Sequence, residues 1–285
     1  MCQLLAISSQ QLVNPRELLA EFFQRGGATA EHADGWGVAS YDEQENAQII
    51  KSLSAASQCE LAEKYLTSDL RSKHFIAHIR KATYGEIKLK NTHPFKRSFW
   101  GQDWVFSHNG DLHGYQPELN PLFKPEGDTD SERAFCHLLT KIAEHYAYYH
   151  PRLDNLVTQI KRLSDEISQF GSFNFILANN QWMIAYASTE LYWTARQQPQ
   201  TRIALVDSDK ALELEADSHN NRMIIVATKP LTKGEVWYPM GRGEIILFSQ
   251  GELTLRCFNP SDTQRSQVGK SSFDSHITPL SWVLI

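Results

Sequence analysis

The chain begins with a residue pair that can do covalent chemistry, because Met1 is followed directly by Cys2. An initiator methionine before so small a residue is normally removed, so we expect Cys2 to carry both a thiol and a free α-amine. Free thiols titrate at about 8.5 and α-amino groups at about 7.7–8.0, so the amine can accept the thiol proton close to neutral pH. The pair predicts a nucleophile with its own base. Alternatively, Cys2 is a small apolar residue opening the buried strand that Leu4-Leu5-Ala6-Ile7 predicts.

Other polar clusters lie where predicted strands and helices end. A strand over 73–79 leads into Arg80-Lys81-Ala82-Thr83, and a strand over 104–106 leads into Ser107-His108-Asn109-Gly110. Thr129-Asp130-Ser131-Glu132 precedes a helix whose apolar residues recur at i, i+3, i+4 and i+7. Such ends often carry functional residues. Two of these clusters also have a structural interpretation: Asn109-Gly110 as a type I′ turn and the acidic segment as a helix N-terminus.

A glycine-flanked tryptophan lies in Asp34-Gly35-Trp36-Gly37. Glycines on both sides of a large side chain indicate either a close approach of the backbone to another group or a packing bulge. Along the whole chain, two predicted helices separate two runs of predicted strands, which implies two sheets with helices packed outside them. We find no linker-like composition shift and no internal repeat, so we expect a single domain over residues 1–285, with Met1 removed.

Composition excludes several classes of protein. The 285 residues carry a net charge of -5, which argues against nucleic acid or an anionic membrane as the main partner. No apolar run is long enough for a membrane span, and no basic segment precedes an apolar stretch at the N-terminus, so we expect a cytoplasmic protein. The four cysteines show no Cys-x-x-Cys spacing and the histidines no His-Glu-x-x-His spacing. We therefore expect neither a metal nor an organic cofactor.

Five motifs, in this order, together resemble one known family, the class II (N-terminal-nucleophile) glutamine amidotransferases. They are Met1-Cys2, His78-x-Arg80-x-x-Thr83-x-Gly85, Asn91-x-His93-Pro94, His108-Asn109-Gly110 and Thr129-Asp130-Ser131-Glu132. Asp34-Gly35-Trp36-Gly37 and Thr92-His93-Pro94-Phe95 are similar to stand-alone bacterial members that lack a synthase domain. The later segment Ala227-Thr228-Lys229-Pro230-Leu231 fits the second half of the same domain.

This resemblance implies an α+β fold, a four-layer αββα sandwich of two mostly antiparallel sheets with helices outside, as in N-terminal-nucleophile hydrolases. It also implies a role for each matched residue. Cys2 would attack the side-chain amide of glutamine, and Asn109 and Gly110 would stabilise the oxyanion. Arg80 and Thr83 would bind the substrate α-carboxylate, and Asp130 its α-ammonium group.

The reaction implied by the resemblance gives a γ-glutamyl thioester, ammonia and then glutamate. His78 and His93 are expected to be structural and to bond loop backbone, because the Cys2 amine already fills the role of base. The matched residues recognise only the glutamyl end of a substrate. Three interpretations therefore stay open: a glutaminase that supplies ammonia to a separate synthase, a hydrolase of γ-glutamyl peptides or amines, and a non-catalytic binding protein on the same fold. The oligomeric state is not predicted.

Overall fold

The computed structural model describes residues 2–69, 71–82, 86–197, 202–208, 211–213 and 221–258. These residues form four α-helices and three 3₁₀ turns, at Ala56–Gln58, Leu89–Asn91 and Ser168–Phe170. The α-helices are α1 (Arg16–Gln24), α2 (Glu60–Thr67), α3 (Asp130–His145) and α4 (Leu153–Ile167). The strands are β1 (Gln3–Val13), β2 (Trp36–Tyr41), β3 (Ala47–Ser52), β4 (Ser72–Ile79), β5 (Phe95–Phe99), β6 (Gln102–Leu112), β7 (Gly171–Ala178), β8 (Met183–Ala187), β9 (Tyr192–Gln197), β10 (Arg202–Ala204), β11 (Ala211–Glu213), β12 (Arg222–Ala227), β13 (Tyr238–Pro239), β14 (Glu244–Ser249) and β15 (Glu252–Cys257).

The strands are organised into two large sheets. The first has the order β13-β9-β12-β1-β4-β2-β3, so β1 lies at its centre between β4 and β12. The second has the order β15-β14-β8-β7-β6-β5, in which β6 pairs with β5 and β7. All of these neighbours are antiparallel, and β10 and β11 form a separate small ribbon. In β1, residues 5–8 pair with both β4 and β12. In β6, residues 102–106 pair with β5 and residues 105–112 pair with β7, so residues 107–112 are paired on one side only.

Alternation along β1 and β6 assigns their side chains to three buried layers. Leu5 and Ile7 pack with α1 and α2 on the outer face of the first sheet. Leu4 points the opposite way and packs with Val105 in the layer between the two sheets. Phe106, next to Val105, packs with α3 and α4 outside the second sheet. This side-chain period of two explains the short apolar runs Leu4 to Ile7 in β1 and Trp104 to Phe106 in β6, because both faces are buried at these residues.

The order of layers is therefore helices, sheet, sheet, helices, which confirms the predicted α+β fold and αββα sandwich. No helix in the described part of the chain combines the length and hydropathy that a membrane span requires.

Two predictions about strands were wrong. The segment Ser107-His108-Asn109-Gly110 does not follow its strand but lies within β6, so Asn109-Gly110 is not a hairpin turn. Strand β5 was missed, because only Phe95 and Phe99 at its two ends are buried and the residues between them are charged or polar. Such an edge strand has no alternating apolar pattern that sequence analysis could detect.

Candidate active site

Cys2 lies directly before β1, against the segment that follows β4. The register Gln3↔Ile79 brings these two ends together across the sheet. The Lys81 backbone N–H donates to Cys2 Sγ at 3.4 Å, and the thiol donates to Lys81 O at 3.4 Å. Burial raises the pKa of the Cys2 thiol, while the Lys81 N–H and the Arg80 charge oppose this rise. The site therefore favours the neutral thiol until a base removes its proton.

The segment Arg80 to Ala82 is held by the glycine-flanked motif. Arg80 N–H donates to Gly35 O at 2.8 Å, and Ala82 N–H donates to Asp34 Oδ2 at 2.8 Å. Gly35 has a φ of 115°, which glycine adopts without strain. A Cβ on Gly37 would lie 2.2 Å from His93 O, so no larger residue fits there. The motif is thus a close backbone approach, as one of its two interpretations predicted.

Arg80 is almost fully buried, with 4 % of its surface exposed. Its Nη1 donates to Glu86 O at 3.1 Å. Its guanidinium carries five N–H donors in a planar fork and stays positively charged. Arg80 is therefore a buried, permanently charged group beside the Cys2 segment.

Asn109 is on the buried interior of β6, opposite Asn174 of β7. Its Nδ2 lies 3.4 Å from Thr228 Oγ1, and its Oδ1 is buried with no hydrogen-bond partner among the described residues. Asn174 Nδ2 donates to the Asn109 carbonyl at 3.0 Å. The backbone of Asn109 is therefore held by Asn174 of the neighbouring strand β7, and its side chain lies against Thr228, which follows β12 of the other sheet.

Gly110 follows on the same strand, where no side chain can be accommodated. A Cβ at this position would lie 1.8 Å from Ser172 O and 2.5 Å from His108 Nε2. Glycine is needed here because of close approach by β7, and not because of an unusual φ.

Asp130 is the first residue of α3 and links this helix to β6. Its Oδ2 accepts from Leu112 N–H at 2.7 Å, and its Oδ1 accepts from Ser131 N–H at 2.8 Å. The preceding Thr129 caps the helix, since its hydroxyl accepts from Glu132 N–H at 3.2 Å. The predicted helix N-terminus is therefore confirmed, and it presents the Asp130 carboxylate at the edge of the second sheet.

Four of the six candidate residues line a single cavity. Cys2, Arg80, Gly110 and Asp130 surround a space of ≈ 30 Å³, together with Asn91, His93, His108 and other neighbours. This is room for about two water molecules. The Asn109 side chain is not part of this lining and lies next to it, on the same strand as Gly110. Thr83 lies outside the described residues.

A larger cavity, of ≈ 340 Å³, lies between the 114–118 loop and helices α3 and α4. It is lined by Tyr115, His137, Lys141 and Glu166 among others, and by none of the candidate residues. Size alone would place a ligand there, but the candidate nucleophile Cys2 and the charged residues Arg80 and Asp130 line the smaller cavity.

Two buried histidines, His93 and His108, line the small cavity, and the buried His78 packs against His93. His108 Nε2 lies 3.1 Å from Ser172 O, which can only accept, so Nε2 carries the proton and Nδ1 accepts from the Ser131 hydroxyl at 2.8 Å. His78 and His93 pack at 4.3 Å between ring centroids. Their ring nitrogens have no hydrogen-bond partner in the described chain. The expectation that both bond loop backbone was therefore wrong. Burial lowers the pKa of His78 to about 3 and that of His93 well below its ordinary value.

Within the described ranges, no group of three or more His, Cys, Asp or Glu side chains is arranged to hold a metal ion. Four polar residues with no role predicted from the sequence contact either the candidate Asn109 or the cavity-lining His108. Asn174 and Thr228 bond Asn109, and Ser131 and Ser172 bond His108. Of these four residues, Thr228 and Ser131 lie in segments that resemble the family. Nothing in the local sequence marks Asn174 and Ser172, because they reach the site through strand pairing.

Comparison with known proteins identifies the family. The family model for class II glutamine amidotransferases matches residues 1–272. The Escherichia coli K12 protein named "Putative glutamine amidotransferase YafJ" is 36 % identical over 256 residues, which cover 88 % of this chain and 99 % of that protein. The chain therefore belongs to the class II glutamine amidotransferases.

Solved structures agree with this assignment. A crystal structure titled as a predicted glutamine amidotransferase from Pseudomonas aeruginosa is 29 % identical, with a TM-score of 0.70, and the match covers 89 % of this chain and all of that one. Glutamine phosphoribosylpyrophosphate amidotransferase from B. subtilis is 15 % identical, with a TM-score of 0.53 over 89 % of this chain and 48 % of that one. The second likeness concerns the fold alone.

Proposed function

We propose that this protein is a γ-amide hydrolase, in which Cys2 attacks the side-chain amide of glutamine or of a related γ-glutamyl compound. The observation that carries this proposal is the shared cavity of Cys2, Arg80, Gly110 and Asp130. A nucleophile, a cation and an anion around one space match the three groups of a glutamyl substrate: its carbonyl carbon, its α-carboxylate and its α-ammonium. Family membership supports the same chemistry.

In the first half of the reaction, the Cys2 α-amine, exposed by removal of Met1, accepts the thiol proton. An intramolecular base matters here because burial raises the thiol pKa. The thiolate attacks the γ-carbonyl carbon, and negative charge develops on the carbonyl oxygen. Donors from Asn109 and Gly110 stabilise that charge. The protonated amine then gives its proton to the leaving nitrogen, and ammonia or a larger amine departs.

In the second half, water hydrolyses the γ-glutamyl thioester to glutamate and regenerates the Cys2 thiol. Splitting amide cleavage into two steps is ordinary covalent catalysis. Arg80 and Asp130 hold the substrate in register through both steps, which removes much of the entropic cost of reaction. Release of ammonia to a separate synthase stays a prediction.

The test is glutamate release measured side by side for glutamine, a γ-glutamyl dipeptide and a γ-glutamyl alkylamide. Intact mass of the active protein should show that the chain begins at Cys2. Cys2→Ala and Cys2→Ser should abolish turnover while far-UV circular dichroism stays unchanged. Cys257→Ala serves as the matched control, since Cys257 is a partly buried free thiol on edge strand β15.

The outcomes distinguish the three interpretations of the sequence. Release from glutamine alone supports a glutaminase, and release only from the larger amides supports a γ-glutamyl hydrolase. Glutamate from none of the substrates, with Cys2 verified as the N-terminus, supports the non-catalytic binding protein. Activity with Met1 still attached would contradict the role of the α-amine.

A further inference from the structure

Thr228 stands between the nucleophile strand and Asn109. It follows β12 directly, where the antiparallel pairing of β12 with β1 ends. Thr228 N–H donates to Leu4 O at 3.0 Å, but Leu4 N–H donates to the Thr228 hydroxyl oxygen at 2.9 Å. The last hydrogen bond of β1 on the β12 side, donated by Leu4 N–H, is thus accepted by a side-chain oxygen and not by a backbone carbonyl. The same oxygen lies 3.4 Å from Asn109 Nδ2.

In this arrangement, the side chains of Thr228 and Asn109 do not make all the hydrogen bonds that their donors and acceptors allow. A threonine hydroxyl offers one donor and two acceptor sites. With the amide nitrogen towards Thr228, both acceptor sites are occupied, the hydroxyl proton is not given to Asn109, and Asn109 Oδ1 is left buried without a described partner. A buried unsatisfied acceptor is costly.

Turning the Asn109 amide by 180° resolves the mismatch. The oxygen and nitrogen of an amide side chain have nearly the same shape, so their assignment follows from the bonding network. After the turn, the Thr228 hydroxyl still accepts from Leu4 N–H and now donates to Asn109 Oδ1. The NH₂ group then occupies the buried position that lacks a partner. For a group meant to bind an oxyanion, the atom awaiting a partner must be a donor.

We propose that Thr228 is a positioning residue of this site, whose hydroxyl donates to Asn109 Oδ1 and so directs the amide N–H groups towards the substrate carbonyl oxygen. The inference rests on the proposed function for its kinetic consequence. The orientation of the Asn109 amide is a property of the unliganded protein and does not depend on the proposed function. Because Thr228 also bonds Leu4, two residues from Cys2, one hydroxyl ties the oxyanion donor to the nucleophile strand.

The kinetic test uses an isosteric change. Thr228→Val keeps the shape and removes the hydroxyl, and it should lower kcat by about three- to tenfold, the worth of one ordinary hydrogen bond. KM should change less than about twofold, and Thr228→Ser should restore kcat. Thr140→Val is the matched control, because Thr140 is also buried, its hydroxyl accepts from Asn120 N–H, and it lies on α3 nine residues beyond Ser131, the last of the cavity-lining residues on that helix.

A double-mutant comparison separates positioning from general damage. If Thr228 acts through Asn109, then Thr228→Val should cause no further loss of kcat in an Asn109→Ala background. An equal fractional loss in both backgrounds, or no rescue by Thr228→Ser, would overturn the proposal.

Neutron crystallography of the deuterium-exchanged wild-type protein tests the orientation without any assay. Deuterium on Thr228 Oγ1 pointing at Asn109, with both amide deuteriums on the far side, is the expected result. An amide deuterium lying between Asn109 and Thr228 would overturn the inference. If the wild type released glutamate from no substrate, the proposed function would fail, while the neutron result would still decide the role of Thr228.

Discussion

The Cys2 thiol and the Lys81 peptide group face each other, with Lys81 N and Lys81 O each 3.4 Å from Sγ. The candidate nucleophile is therefore positioned by backbone, and the Lys81 side chain takes no part in this contact. That backbone is in turn held by Asp34, which accepts from Ala82 N–H. Asp34 therefore holds the 80–82 segment, and this segment positions Cys2.

Asp34→Ala should consequently reduce kcat/KM by about tenfold, because a hydrogen bond to a charged acceptor that fixes the 80–82 segment is lost. Asp34→Asn should keep most of the activity, since its side-chain oxygen can still accept from Ala82 N–H. Steady-state kinetics with the best substrate would measure both. Asp42→Ala is the control: Asp42 holds the exposed β2–β3 turn through Gln44 and Asn46. Equal losses for Asp34→Ala and Asp42→Ala would contradict the proposed dependence.

Arg80 and Asn109 should affect different kinetic constants. Arg80→Gln should mainly raise KM for substrates with a free α-carboxylate, because it removes the buried charge that, in the proposed function, binds this carboxylate equally in the ground state and the transition state. The measurement compares L-glutamine with its α-amide, which lacks that carboxylate. The wild type should prefer glutamine, and the variant should have lost this preference. A preserved preference would show that Arg80 does not bind the carboxylate.

Asn109→Ala should lower kcat by about 10²–10³, the usual loss for one oxyanion donor, with a small change in KM. Single-turnover kinetics of thioester formation would locate the loss in the chemical step. Asn179→Ala is a matched control, because Asn179 is an equally buried asparagine whose amide holds the β7–β8 turn. A kcat loss shared by both variants would indicate damage to the fold and not to the reaction.

The order of the motifs along the chain predicted the family, and the family implied the αββα sandwich. Both steps depend on the sequence alone. The apolar runs of β1 and β4 and the period of α3 predicted the central elements. The helix N-terminus at Thr129, with its acidic first turn, follows from local chemistry and could be predicted too. The close approach at Gly35 was one of two interpretations that the local sequence left open.

Contacts between distant strands could not be predicted. Asn174 and Thr228 reach Asn109 from 65 and 119 residues away, and only the strand order of the two sheets places them there. Asn109-Gly110 has the local sequence of a turn, yet it lies in a strand because β7 covers it on one side. That residues 1–285 form one domain stays a prediction, as does the role of Thr83.

Gly110→Ala should destabilise the protein as well as the site. Its Cβ would overlap Ser172 O at 1.8 Å, and two paired strands cannot separate without breaking their ladder. Overpacking of this kind costs about 1–3 kcal/mol in the free energy of unfolding. Urea denaturation would measure it, with Gly241→Ala as control, since a Cβ there would meet nothing closer than 3.5 Å. Wild-type stability of Gly110→Ala would mean that β6 and β7 do not pair this closely.

The buried, neighbouring rings of His78 and His93 should make stability depend on pH. Burial lowers the pKa of His78 to about 3, so between that pH and its ordinary value of 6.5 the unfolded chain binds the extra proton. The contribution of the neutral, buried histidine to the free energy of unfolding is therefore fully present above pH 6.5. It falls as the pH drops towards 3, by up to about 1.4 kcal/mol per pH unit for each such histidine. Urea denaturation at pH 7.0 and 5.5 should show a smaller difference for His78→Phe than for the wild type. His113→Asn, which removes a largely exposed imidazole, should leave the difference unchanged. The same difference in all three proteins would mean that His78 is protonated in the folded state.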